Sequence, residues 1–147
     1  MGTEVSAKAT MRKNPFGGRR PLTKTQLLPL PTDYVRRLSL KHHLALAVLR
    51  DGRGDVDSLS TLLNVVALAY QLNAADTVPA DSVRFRCAKQ ALEACVARAE
   101  RGKPFTLTVA ELAAIAPVLV HHDVQLARVP SHRYLEALER VAVRNVF

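Results

Sequence analysis

From residue 31 onward, apolar side chains recur every three or four positions, the spacing that gathers them on one face of an α-helix. Behind Pro31, Thr32 and Asp33 offer N-cap chemistry, and Tyr34, Val35, Leu38, His42, Ala45, Leu46 and Leu49 trace one stripe. The pattern predicts a helix over 33–51, ended by Asp51-Gly52-Arg53-Gly54, whose glycines permit the positive φ of a helix terminus. A second helix, 55–74, opens on Asp55 and Asp57 and turns Leu59, Leu62, Leu63, Val66, Ala69, Tyr70 and Asn73 inward. Its 65–69 run has strand composition, but helical spacing continues on both sides without a turn signal. A third, 81–102, carries Phe85, Ala88, Leu92, Cys95, Val96 and Ala99, and Gly102 and Pro104 stop it. Thr108-Val109-Ala110-Glu111 reads as a capping box, opening a fourth helix with Leu112, Ile115, Ala116, Leu119 and Val120 inward. Pro117 predicts a kink or an early end there. After the break at Pro130-Ser131, a fifth helix over 132–145 points Leu135, Leu138, Val141 and Ala142 inward. The expected fold is all-α: a compact bundle of about five helices, without internal repeat or sheet.

The first thirty residues read differently. Pro15, Gly17, Gly18, Pro21 and Pro29 break any helix, because proline lacks the N–H and glycine costs the most backbone entropy. Six basic side chains against Glu4 give 1–30 a net +5, whereas 31–147 carries only +3 of the formal +8. The chain therefore divides into an extended basic N-terminal arm, 1–30, and a helical bundle domain, 31–147. Phe16 and Leu22 are candidate anchors of the arm on the bundle. No apolar run reaches the length of a membrane span, and the first 20 residues hold no apolar leader, so a cytoplasmic protein without membrane contact is expected.

Residues that could carry chemistry are few. The histidines form two doublets, His42-His43 and His121-His122 beside Asp123, with His132 further on. A His-Asp pair on a helix suits the metal site of the HD phosphohydrolases, yet that site needs a later aspartate and none follows Asp123. Adjacent residues diverge by about 100° on a helix, so each doublet should send one ring to the core and one to solvent. Cys87 and Cys95 lie about 12 Å apart along one helix, too far for a disulfide, and have no metal-ligand spacing. Phe16-Gly17-Gly18-Arg19-Arg20 and Gly52-Arg53-Gly54 lack the full phosphate-loop patterns. No catalytic residue, metal ligand or cofactor is therefore expected.

The Lys13-Asn14-Pro15-Phe16 segment, Arg20-Pro21-Leu22-Thr23, Gly52-Arg53-Gly54 and the 62–65 run together resemble a group of small proteobacterial proteins. These are often phage- or plasmid-associated and identified as Fis-type transcriptional regulators; the resemblance covers residues 13–75. It implies a regulatory protein that contacts DNA. The last helix sets Arg133, Arg140 and Arg144 against Glu136 and Glu139 and does not read as a recognition helix. Binding is then expected through phosphates, at Lys8, Arg12, Lys13, Arg19, Arg20, Lys24, Arg36 and Arg37, because each neutralised phosphate releases a counterion. Scarce aromatic residues disfavour single-strand stacking. The competing expectation is a protein-interaction factor that binds and inhibits a host complex. A homodimer contact through Val141, Val143, Val146 and Phe147 is a further candidate.

Overall fold

The computed structural model describes residues 21–74 and 82–144. Of these, 81% are helical and none forms a strand. Six helices follow one another: α1 (Lys24–Leu27), α2 (Thr32–Arg50), α3 (Val56–Ala74), α4 (Ser82–Glu100), α5 (Val109–Arg128) and α6 (Ser131–Arg144). Five of them are the helices expected from the sequence. The sixth, α1, falls in the segment read as extended. Thr23 and Gln26 form a capping box around it, which nucleates a single turn between Pro21 and Pro29.

Helix α3 is central and packs against α2, α4, α5 and α6. Leu107, just before α5, donates its amide to the Leu49 carbonyl at the end of α2, while His43, earlier in α2, meets Asp123, late in α5, so α2 and α5 run antiparallel. Two hydrophobic clusters result. One gathers Leu49, Leu62, Phe85, Leu92, Ile115 and Leu119; the other joins Leu68, Leu72, Leu126, Tyr134, Ala137 and Val141. Leu30, Tyr34, Val35 and Leu38 close the second cluster from the start of α2.

Local signals explain the ends. Thr108 and Glu111 make the expected capping box, and Arg98 holds Glu111 through two hydrogen bonds of 2.8 and 2.6 Å while also reaching the Thr106 carbonyl. That fork ties the end of α4 to the start of α5 and holds the Glu111 carboxyl below its ordinary pKa. Asp55 caps α3 by accepting the Ser58 amide at 2.8 Å. The start of α2 differs from expectation: Pro31 occupies the N-cap and no side chain caps the helix. Thr32 and Asp33 then fall inside the first turn, where Asp33 still favours the helix dipole.

Pro117 neither ends nor divides α5, which is helical from Val109 to Arg128. Pro117 is exposed, as is Ala113, the residue whose carbonyl loses its helical donor to the proline. Two inward faces also differ. Val120 is exposed; Ile115 and Leu119 are buried as expected, and Val118, His122 and Leu126 join them in the interior. On α6 the buried residues are Tyr134, Ala137 and Val141, while Leu135 and Ala142 face out. Of the proposed dimer residues, Val143 is exposed, Val141 is buried, and Val146 and Phe147 lie outside the described residues. Cys95 is buried and Cys87 exposed, both free thiols. Among the described residues no helix is long and apolar enough to cross a membrane.

The link from α2 to α3 depends on Gly54. A Cβ there would run into the Cδ2 of Leu49, which is fully buried and cannot swing away, and would sit 3.1 Å from the Phe105 carbonyl oxygen. Gly54→Ala should therefore destabilise the fold by about 1–3 kcal/mol, measured by urea unfolding. Gly52→Ala tests a different cause, the positive φ of 76° at that position.

Candidate nucleic-acid interface

The charges of the bundle are sorted between its two ends. At one end converge α1, the start of α2, the end of α3, the start of α4, the end of α5 and the start of α6. Ser131 donates both its amide (2.9 Å) and its hydroxyl (3.0 Å) to the Leu28 carbonyl, and His132 Nδ1 donates to Gln26 at 3.0 Å. Tyr34 and Tyr134 meet edge to face with ring centres 6.3 Å apart. The segments 24–27, 32–39, 82–86, 125–128 and 131–134 bring Lys24, Arg36, Arg37, Arg84, Arg86, Arg128 and Arg133 to this end, against the carboxylates of Asp33 and of Asp123, which is bonded to Ser39, among the described residues; Asp76 and Asp81, between α3 and α4, lie outside the described residues. Of the cations, all but Arg133 are exposed. Arg37 lies over the Tyr34 ring at 5.9 Å, which orients its guanidinium.

The opposite end is balanced. Segments 50–57, 98–103 and 108–111 hold Arg50, Arg53, Arg98, Arg101 and Lys103 against Asp51, Asp55, Asp57, Glu100 and Glu111. Several are paired there, Arg50 and Arg53 with Asp51 and Arg98 with Glu111. The excess positive charge of the described bundle is thus concentrated where α1 begins, next to the segment carrying most of the remaining charge.

Of the eight residues nominated from the sequence, Lys24, Arg36 and Arg37 stand at the basic end. Lys8, Arg12, Lys13, Arg19 and Arg20 lie outside the described residues. Sequence reasoning missed Arg84, Arg86, Arg128 and Arg133 as members of this surface. They are scattered over 50 positions and meet only because α4 and α6 start where α5 stops.

The two histidine doublets come together between α2 and α5. His42 and His122 are buried, with ring centres 5.6 Å apart, and His43 and His121 are half-buried. Each doublet sends one ring to the core, as expected; the other is half-buried rather than turned to solvent, His43 bonded to Asp123 and His121 edge to face with Phe85. The pairing of one doublet with the other was not legible. On α2, His42 lies between Leu38 of one hydrophobic cluster and Ala45 of the other; on α5, His122 lies between Leu126 and Leu119. The buried imidazoles therefore occupy the seam between the clusters.

Hydrogen bonding fixes the tautomer of His122. Gln125 Nε2 donates to the Ala69 carbonyl at 3.0 Å, so its Oε1, 2.8 Å from His122 Nδ1, must accept a proton from that nitrogen. His122 Nε2 then carries the lone pair, fully buried and without a partner. Burial lowers the pKa of His122, and lowers that of His42 to about 4, where the His122 charge adds to the effect. Both rings are neutral at pH 7.

Asp123 Oδ2 accepts from His43 Nε2 and Oδ1 from the Ser39 hydroxyl, each at 2.8 Å. Because Ser39 bonds to the carboxylate rather than to the imidazole, the trio is not a nucleophile–base–orienter chain. Among the described residues, no group of three or more His, Cys, Asp or Glu side chains is placed to hold a metal ion. The fold and charge pattern thus define a helical bundle with one basic end and a neutral buried histidine seam. Comparison of the chain with known protein families, characterised proteins and solved structures finds no match.

Proposed function

We propose that the protein is a non-enzymatic, nucleic-acid-associated regulator that contacts phosphates through its basic end and the adjoining N-terminal segment. The observation that carries this reading is the polarised charge of the described residues: seven cationic side chains against Asp33 and Asp123 at one end, and five against five at the other. A surface of this kind attracts the phosphate backbone without regard to base sequence, because counterion release supplies the binding free energy. The likeness of residues 13–75 to Fis-type regulators supports the regulatory part. Backbone contact accords with a last helix that balances its arginines with Glu136 and Glu139.

Fluorescence anisotropy with several unrelated DNA duplexes tests the proposal at low salt. The full chain is expected to bind all of them within a few-fold of each other. Arg36→Ala/Arg37→Ala should weaken every duplex alike, by roughly tenfold. Absence of binding at low salt, or a strong preference for one duplex, contradicts it.

A second reading, a factor that binds and inhibits a host protein complex, draws on a different observation. Leu40 and Leu44 on α2 and Val120 and Val124 on α5 are about half exposed, on neighbouring helices. It expects Leu44→Glu to abolish partner capture and to leave DNA affinity unchanged.

A further inference from the structure

His43 on α2 and Asp123 on α5 meet at 2.8 Å, with 41% and 35% of their side chains exposed. The other oxygen of Asp123 accepts the Ser39 hydroxyl, one turn before His43, so both carboxylate oxygens are held. Accepting at Oδ2, the carboxylate places the ring proton of neutral His43 on Nε2 and leaves the lone pair on Nδ1. Among the described residues that nitrogen has no hydrogen-bond partner, and it is open to solvent. The other histidines differ. His122 and His132 bond through Nδ1, to Gln125 and to the Gln26 carbonyl. His42 is buried, and His121 packs edge to face on Phe85. His43 thus presents an oriented and accessible ring nitrogen. Exposed apolar side chains frame the pair: Leu40 and Leu44 beside His43 on α2, and Val120 and Val124 beside Asp123 on α5. A frame of this kind marks a contact surface, unlike the polar surroundings of an ordinary solvated histidine.

An imidazole with one nitrogen held by a carboxylate and the other bare is a nucleophile at the bare atom. The carboxylate fixes the tautomer and stabilises the imidazolium charge that forms when the second nitrogen is bonded. Phosphorus already bonded to nitrogen is a matching electrophile, because one N–P bond is exchanged for another and no further energy source is needed. We propose that His43 is a phosphoryl-acceptor site, modified at Nδ1 by a donor of the phosphoramidate class, with Asp123 as the positioning residue. The Nδ1 lone pair forms the new N–P bond as the donor's N–P bond breaks. The electron pair of the broken bond leaves on the donor nitrogen, which departs as a neutral amine. The Nε2 proton stays on the ring, against Asp123. Ser39 serves only to hold the carboxylate. The modification is stoichiometric and needs no cation of the basic end, so the inference does not rest on the nucleic-acid reading above.

Phosphoramidate added to the full chain, followed by intact-mass and fragment-mass analysis, tests it. One phosphoryl group is expected, mapped to His43, stable in alkali and lost in acid as an N–P bond is. Phosphorus NMR separates the two ring positions and should place the group on Nδ1. Labelling should be faster than that of N-acetylhistidine under the same conditions. Asp123→Asn turns an amide donor toward Nε2 and reverses the tautomer. It should slow labelling of His43 about tenfold, less than a fully buried dyad would lose because this pair is half exposed. Circular dichroism of the variant checks that its helices are intact. The mapped residue, the attachment atom and the rate against N-acetylhistidine are read on the wild type, so they decide the matter even if the variant fails to fold. No label at His43, attachment at Nε2, a rate no greater than that of N-acetylhistidine, or a folded Asp123→Asn labelled as fast as the wild type overturns the proposal. No nucleic acid is present in the assay, so its outcome is separate from duplex affinity.

Discussion

Acidification from pH 7.5 to pH 5 should lower the unfolding free energy by about 2 kcal/mol through His42 alone. Its folded pKa of about 4 lies below the ordinary 6.5, so the unfolded chain takes up the proton first. Stability is therefore fully present above pH 6.5 and is lost as pH falls toward 4. Burial is the main cause, reinforced by His122, Lys41 and His43 and opposed by Asp123. His122, also depressed by burial, contributes in the same direction. The arginine-bound Glu111 adds an acid-sensitive share only below its ordinary 4.5, outside this window. Urea unfolding across the range should show the loss in the wild type and a flatter profile in His42→Leu. Parallel profiles for the two proteins would place the acid sensitivity elsewhere. The position of both rings between the hydrophobic clusters makes the α2–α5 contact the place where protonation acts.

The helices were legible because each signal was local. Thr108 and Glu111 lie three residues apart and cap each other whatever the rest of the chain does. Gly102 sits at φ 84° just past the end of α4, where the sequence put a stop. The stripes of α2 and α4 were unambiguous because charged residues frame them. On α5 and α6 the phase was harder to read. Val120 looked inward because α5 has valine or alanine on every side, and its true inner face includes the polar His122. On α6, Leu135 is more apolar than Tyr134, yet Tyr134 is buried because Tyr34 meets it from the start of α2. Such a choice is made by tertiary packing, not by propensity.

The candidate site was legible only in part, for the same reason. Arg36 and Arg37 are adjacent in sequence and outside the apolar stripe, so their exposure could be anticipated. The meeting of Arg128 and Arg133 with α1 requires the turn at Val129-Pro130 and the docking of Ser131 on Leu28. The bond between His43 and Asp123 joins positions 80 residues apart. Nothing in the spacing of either doublet points to the other. What the sequence did carry was the charge bias toward the start of the chain, and the bundle extends that bias to one of its ends.

Loss of the basic end should change the salt dependence of duplex binding more than any comparable loss elsewhere. Each phosphate contact contributes about 0.9 to the slope of log K against log salt. Replacing Arg36, Arg37 and Arg128 with alanine should therefore flatten the slope by up to about 2.7. Arg50, Arg101 and Lys103 at the balanced end provide the control, because their replacement removes the same formal charge. If attraction depended on net charge alone, both triple variants would lose equally. The central measurement is thus the salt slope of duplex affinity for the wild type and these two variants. The Arg36/Arg37/Arg128 variant is expected to show a flattened slope and the Arg50/Arg101/Lys103 variant a slope close to wild type; identical slopes in all three proteins would rule out phosphate contact at the basic end.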